Sequence, residues 1–274
     1  MAASQKGASM QTAETSIELK QEVGVATLTL NRPERLNSFN PAMHRALAAE
    51  LDRLRDDAEV RVLVLTGTGR AFCAGQDLSD RAVTPGQQAA DLGESIERYY
   101  APLVRRLRDM PKPVIAAVNG VAAGAGANIA LACDLVIAAR SARFVQAFSK
   151  IGLLPDSGGS YWLPRLLGQA RALGLALLAE PLSAEQAAQW GLIWRCVDDA
   201  VFPAEVQRLA AELAAGPTLA YARIKQALQA AERNSLEQQL LLERDLQREL
   251  GCSADYREGV AAFLAKRQPQ FQGQ

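Results

Sequence analysis

The chain has 274 residues, 49% of them hydrophobic, and its 30 basic and 30 acidic side chains cancel to a formal net charge of zero. That length suits one large globular domain with a small appendage. The charge balance argues against the basic footprint of a nucleic-acid binder or a membrane-surface protein. No apolar run reaches the ~20 residues of a membrane span, and no basic region followed by an apolar stretch marks a signal peptide. A cytoplasmic enzyme with no nucleic-acid or membrane partner is the expectation.

Residues 1–15 are small and polar and read as a flexible N-terminal extension. Residues 23–30 (VGVATLTL) alternate and are rich in β-branched side chains, which predicts a strand. Asn40-Pro41 supplies an N-cap and a proline at the first helical position. Met43, Leu47, Leu51 and Leu54 follow at helical spacing. Residues 60–65 (VRVLVL) predict the next strand, ended by Thr66-Gly67-Thr68-Gly69. Residues 114–118 and 135–138 are short apolar strands with a Gly/Ala-rich segment between them. Strands alternating with helices argue for an α/β core with buried strands.

Farther on, Ser183 and Gln186 form a capping box, and residues 193–197 suit one more strand. Beyond Pro203 four helical patterns follow, over 206–215, 218–231, 236–250 and 254–266. The expected organisation is an extension over 1–15, an α/β core over 16–202 and a helical region over 203–274.

Cys73, Cys133, Cys196 and Cys252 lie far apart with no CxxC pair, so neither a metal site nor a disulfide framework is indicated. Reduced thiols fit best. The one histidine, His44, falls between Met43 and Arg45 in the helical pattern. It reads as a surface or half-buried helix residue, which leaves proton transfer to carboxylates and electrophilic assistance to backbone donors.

Two glycine-containing segments follow strands, AFCAGQDL over 71–78 and NGVAAGAGAN over 119–128. Neither carries a dinucleotide fingerprint. The second is small at nearly every position and opens a helix, whose N-terminus presents free N–H groups with a partial positive charge. Two such loops side by side offer two N–H donors to one oxygen. Tight helix-to-sheet packing explains the glycines equally well.

Several motifs occur in order: Asn31-Arg32-Pro33 with Asn37, AFCAGQDL, KPVIAAVNGVAAGAG over 112–126, CDLVIA over 133–138, GLLPDSGGS over 152–160 and AFLAKRQPQF over 262–271. Together they closely resemble the enoyl-CoA hydratase/isomerase (crotonase-like) group from about residue 20 to the C-terminus. The resemblance implies a crotonase (ClpP-like) spiral of stacked ββα units with a helical C-terminal region that trimerises. It implies an acyl-CoA substrate, a homotrimer or hexamer, and no separate cofactor, since coenzyme A is part of the substrate. In the group the two loops form an oxyanion hole, and the donors carried over are the N–H groups of Ala74 and Ala125. Such donors stabilise an enolate oxygen more than the ground state, each by roughly 3 kcal/mol.

The group's hydratases place two glutamates at positions that here hold Asn128 and Phe148, so an isomerase is expected rather than a hydratase. The remaining carboxylate is Asp156, where some isomerases and a dehalogenase of the group place a functional aspartate. An N-cap is the local alternative for Asp156; catalysis is favoured because the other acid candidates are gone. Apolar neighbours such as Leu153, Leu154 and Trp162 would raise its pKa towards the range of a base. Arg32, Arg35, Ala71, Gln76, Asp77 and Leu78 match positions near the coenzyme A moiety, and Phe263 and Lys266 match a helix that completes a neighbouring subunit's site. Tyr99, Tyr100 and Trp162 suit either the acyl pocket or the core. Three stretches, GQDLSDR over 75–81, SAEQ over 183–186 and SADYREG over 253–259, look closest to the group's isomerases of phenylacetate breakdown. Other activities of the group, and a non-catalytic acyl-CoA binder, are the alternatives.

Overall fold

The computed structural model describes residues 16–81 and 91–274. The extension expected over 1–15 lies outside the described residues. The strands are β1 (Ile17–Glu22), β2 (Val25–Leu30), β3 (Val62–Gly67), β4 (Ala71–Cys73), β5 (Val114–Val118), β6 (Val121–Ala123), β7 (Leu135–Ala139), β8 (Arg143–Val145), β9 (Leu182–Ser183) and β10 (Arg195–Val197). They form a six-stranded sheet in the order β1-β2-β3-β5-β7-β10 and a four-stranded sheet in the order β4-β6-β8-β9. From β3 to β8 each strand of the larger sheet is followed by one of the smaller, and neighbours within each sheet run parallel. Successive turns of chain therefore stack, which is the spiral of ββα units that the resemblance implies.

β1 and β2 form a hairpin that turns at Val23 and Gly24, both at positive φ (44° and 77°). The sequence pattern did not mark β1. It is an edge strand with only Ile17 buried and Leu19 half-buried, so its polar residues hide the alternation.

Eleven α-helices occur among the described residues. The first, α1 (Pro41–Asp56), is capped by the Asn40 side chain, which accepts from the Met43 N–H at 2.8 Å. Next, α2 (Leu92–Ser95) runs through a π-helical turn, Ile96–Tyr100, into α3 (Ala101–Arg108). The short α4 (Ala125–Leu131) is buried at every residue, between the sheets. Then come α5 (Gly159–Leu167), α6 (Gln169–Leu178) and α7 (Ala184–Gln189). The tail is α8 (Phe202–Ala214), α9 (Thr218–Ala231), α10 (Leu236–Gly251) and α11 (Ala254–Leu264), close to the four helical patterns in the sequence.

Strand alternation divides the core. Leu63 and Leu65 of β3 join the main cluster with Leu28, Leu30, Phe72 and Phe144. Val62 and Val64 face the other way, against Phe202, Ala210 and Ala214 of α8. The first tail helix thus covers the outer face of the larger sheet and shares in the core. The second, α9, is pinned by Lys225. Its ammonium pairs with Asp134 at 2.6 Å and donates to the carbonyls of Met110 (2.8 Å) and Lys112 (3.0 Å). Burial pushes the Asp134 carboxyl up and the Lys225 ammonium down, so desolvation outweighs their attraction.

Removing one partner strands the other charge. Asp134→Ala should destabilise the protein by about 3–5 kcal/mol, whereas an apolar double replacement, Asp134→Leu with Lys225→Met, should cost far less. Urea unfolding of the three proteins checks this.

Candidate active site

The two glycine loops meet at α4. A Cβ added at Gly126 would lie 2.3 Å from the Cys73 carbonyl oxygen, so only glycine lets α4 sit this close to β4. A Cβ at Gly75 would lie 3.4 Å from the Ala125 nitrogen and 3.0 Å from the Ala123 oxygen. The loops therefore touch through main chain, and Ala125, the first residue of α4, has no helical acceptor for its N–H.

The first loop corrects one expectation. The Ala74 N–H, expected to be an oxyanion donor, donates to the Leu36 carbonyl at 3.0 Å. The cause is a non-local pairing: segment 36–39 lies along the loop, with Phe39 N–H on Gly75 O (2.7 Å) and Asp77 N–H on Phe39 O (2.9 Å). Gly75, at φ +93°, turns the chain within this pairing. The Gly75 N–H faces the Cys73 sulfur at 3.4 Å. Among the described residues the Gln76 N–H is left without an acceptor, because in a bridge made through residues 75 and 77 the peptide groups of residue 76 point away. Gln76 and Ala125 thus offer the two free amides.

Asn128, one helical turn along α4 from Ala125, ties α4 to the backbone of Asp156. The buried Asn128 donates from Nδ2 to the Asp156 carbonyl at 2.9 Å and accepts on Oδ1 from Gln146 Nε2 at 2.8 Å. The same Asp156 carbonyl accepts from the Gly159 N–H at 2.7 Å. Gly159 is needed there, because a Cβ would lie 2.2 Å from Asn128 Nδ2. The N-cap of α5 is Gly158, which makes no side-chain cap, so the Asp156 carboxylate is not used to cap that helix. Among the described residues its one side-chain partner is the Ser157 hydroxyl, 2.9 Å from Oδ1. Burial pushes the Asp156 carboxyl above the ordinary carboxylate range, against the weaker pull of Ser157 and Arg81. Phe148 is buried, and its ring lies 3.8 Å from where a Cβ of Gly124 would be.

His44 departs from its reading as a surface or half-buried residue. It is 5% exposed, stacked between Phe39 (4.7 Å) and Tyr99 (5.1 Å), with Tyr100 edge-on at 4.5 Å. Among the described residues neither ring nitrogen has a partner, and burial, with Arg81 adding to it, pushes its pKa down to about 4.

The expected coenzyme positions divide. Arg32 is a clamp: it pairs with Asp77 at 2.9 Å and donates to the Ser38 carbonyl at 2.7 Å. Asp77 also accepts from the Ser79 hydroxyl at 2.6 Å, and this bond, with Arg32, holds its carboxyl below the usual range. Ala71 is buried, its carbonyl accepting from Asn37 Nδ2 at 2.8 Å. Arg35 and Leu78 are exposed near this loop. Phe263 is 83% exposed on α11 and Lys266 follows it; among the described residues neither side chain bonds to the two loops. No three His, Cys, Asp or Glu side chains among the described residues cluster as a metal site would require. No described helix is long and apolar enough to cross a membrane.

Two main-chain amides left free where the two loops meet, with a half-buried carboxylate whose backbone is tied to the same helix, on a ββα spiral, suit an enzyme that works on thioester carbonyls. Residues 20–274 match the family model described as Enoyl-CoA hydratase/isomerase, and the chain belongs to that family. It is 64% identical to the 1,2-epoxyphenylacetyl-CoA isomerase of Escherichia coli strain K12, over 92% of this chain and 96% of that protein. It is 38% identical to the 2,3-dehydroadipyl-CoA hydratase of the same organism, over 91% and 95%. The crystal structure of an enoyl-CoA hydratase from Bacillus anthracis superposes with a TM-score of 0.87 at 31% identity, covering 94% of this chain and all of that one.

The His44 environment sets a pH limit on stability. Its folded pKa lies below the unfolded value near 6.5, so its contribution is full above that pH and is lost as pH falls towards about 4. Roughly 3 kcal/mol should disappear across this window. His44→Phe should flatten that part of the profile, as followed by urea midpoints at pH 7 and pH 4.5.

Proposed function

We propose that the enzyme isomerises acyl-CoA thioesters through an enolate, with Asp156 as its one proton-transfer group and the main-chain N–H groups of Gln76 and Ala125 as oxyanion donors. The Asp156 carboxylate takes a proton from the carbon beside the thioester, and the electron pair moves onto the carbonyl oxygen. The two amides favour that charged oxygen over the neutral carbonyl. Asp156 then returns the proton farther along the conjugated system, so atoms balance and the carboxylate is regenerated. The substrate read from this is a ring-1,2-epoxide of phenylacetyl-CoA, rearranged to an oxepin-CoA, or an unsaturated acyl-CoA whose β,γ double bond moves into conjugation. The identity to the Escherichia coli isomerase supports this reading.

The observation that carries it is the use made of Asn128. At the position of a hydratase glutamate, this amide tethers the backbone of Asp156 instead of handling protons. Phe148, at the second such position, offers water no hydrogen bond. Coenzyme A enters as part of the substrate, with no further cofactor, and Arg35 is an exposed cation available to its phosphates. We place the enzyme in the cytoplasm as a homotrimer or a pair of trimers. Leu236, Leu240, Phe263 and Leu264 are all more than half exposed on α10 and α11, an apolar surface that suits subunit contact. Light scattering should give three or six subunits, and an active monomer would contradict the assembly.

Asp156→Asn should lower kcat by about 10²–10⁴-fold with acyl-CoA affinity nearly intact. Because burial raises the folded pKa of Asp156, its ionised form weakens the fold as pH rises through that pKa. The neutral amide should therefore melt at the same temperature as the wild type or higher at pH 7. In the wild type, kcat/KM should fall on the acid side with an apparent pKa above that of a free aspartate. Retention of about a tenth of kcat in the variant would remove Asp156 from the mechanism.

A further inference from the structure

Gln76 carries the free amide of the first loop, and its side chain is bound at both ends. Oε1 accepts the Tyr100 hydroxyl at 2.8 Å and Arg81 Nη2 at 3.4 Å. Nε2 donates to the carbonyls of Phe39 at 3.1 Å and Asp77 at 3.2 Å. Tyr100 itself is 3% exposed, edge-on to Phe39 at 5.9 Å as well as to His44. It ends the π-helical turn that interrupts the helix between α2 and α3, so that consecutive Tyr99 and Tyr100 both reach the His44 ring. Such turns are recurrent features of functional sites.

The loop needs support of this kind. Gly75 precedes Gln76 at φ +93° and has no side chain to restrain the peptide plane that carries the Gln76 N–H. An oxyanion donor is useful only if it is already aimed when charge develops.

We propose that Tyr100 is a positioning residue: its hydroxyl, acting through the Gln76 side chain, holds the Gln76 main-chain N–H in the direction that lets it share one thioester oxygen with the Ala125 N–H. The inference rests on the oxyanion reading of the two loops. Tyr100 reaches the reaction through the residue that supplies the donor, so its loss acts on turnover more than on binding.

The test uses an unreactive chromophore, a cinnamoyl-CoA bearing an electron-donating ring substituent, whose absorption moves to longer wavelength as its thioester carbonyl is polarised. The wild type should shift the band to the red. Tyr100→Phe should bind the probe within about twofold of wild type, lose about half of the shift or more, and lower kcat roughly three- to tenfold at nearly unchanged KM, the scale of one neutral hydrogen bond. Gln76→Leu, which removes the same bond and those to Arg81, Phe39 and Asp77 as well, should lose at least as much. The double variant should be no worse than Gln76→Leu alone, since that change already removes the Tyr100 bond along with the others of the Gln76 side chain. An undiminished shift in Tyr100→Phe, or losses that add in the double variant, would overturn the proposal. A wild type that does not shift the band would overturn the oxyanion reading itself, and the proposal with it.

Discussion

The site depends on one close approach, that of the Gly126 Cα to the Cys73 carbonyl. A methyl group at residue 126 would be driven to 2.3 Å from that oxygen, and helix and strand would have to part. With glycine there, the start of α4 lies against the end of β4, and three consequences follow from that contact. Gly75 meets the Ala125 amide, Gly124 comes beside the Phe148 ring, and Asn128, three residues along the helix from Ala125, reaches the Asp156 backbone. The small residues of both loops are therefore a packing requirement and, on the proposed mechanism, a functional one together. On that mechanism the two explanations left open by the sequence describe one contact.

The second constraint is electrostatic. Among the described residues Asp156 has a single side-chain partner, the Ser157 hydroxyl, and burial disfavours its charge. Its backbone, by contrast, is held firmly by Gly159 and by the Asn128–Gln146 pair. A fixed main chain with a lightly bonded carboxylate suits a group that must give up and regain a proton while keeping its position. Asp77 is the opposite case. Arg32 and Ser79 bind its carboxylate and hold its pKa down, which makes it a strut for the loop.

Much of this was readable in the sequence where the pattern is long or the motif specific. The strand over 114–118 and the helix over 218–231 have the bounds that the apolar spacing implies. The strands of the smaller sheet, two or three residues each, are too short for a period-2 pattern to register. His44 lies three residues before Leu47 on the buried face of α1, so position pointed inward while its polarity suggested otherwise. Ala74 could not be excluded as a donor from sequence, because the Leu36 carbonyl that occupies it lies nearly forty residues earlier and meets it only in the fold. The same non-local pairing is what leaves the Gln76 amide free.

The central claim is that one carboxylate and two main-chain amides move a proton without adding water. The most direct measurement places the enzyme in deuterated water with a β,γ-unsaturated acyl-CoA and, separately, with crotonyl-CoA, and follows both by product analysis. The account predicts that the double bond moves into conjugation with deuterium entering at carbons within reach of one carboxylate, while hydration of crotonyl-CoA is slower by about 10²-fold or more, the scale of a missing acid–base partner. Hydration of crotonyl-CoA at a rate comparable to isomerisation would contradict it and require a second proton-transfer group beside Asp156.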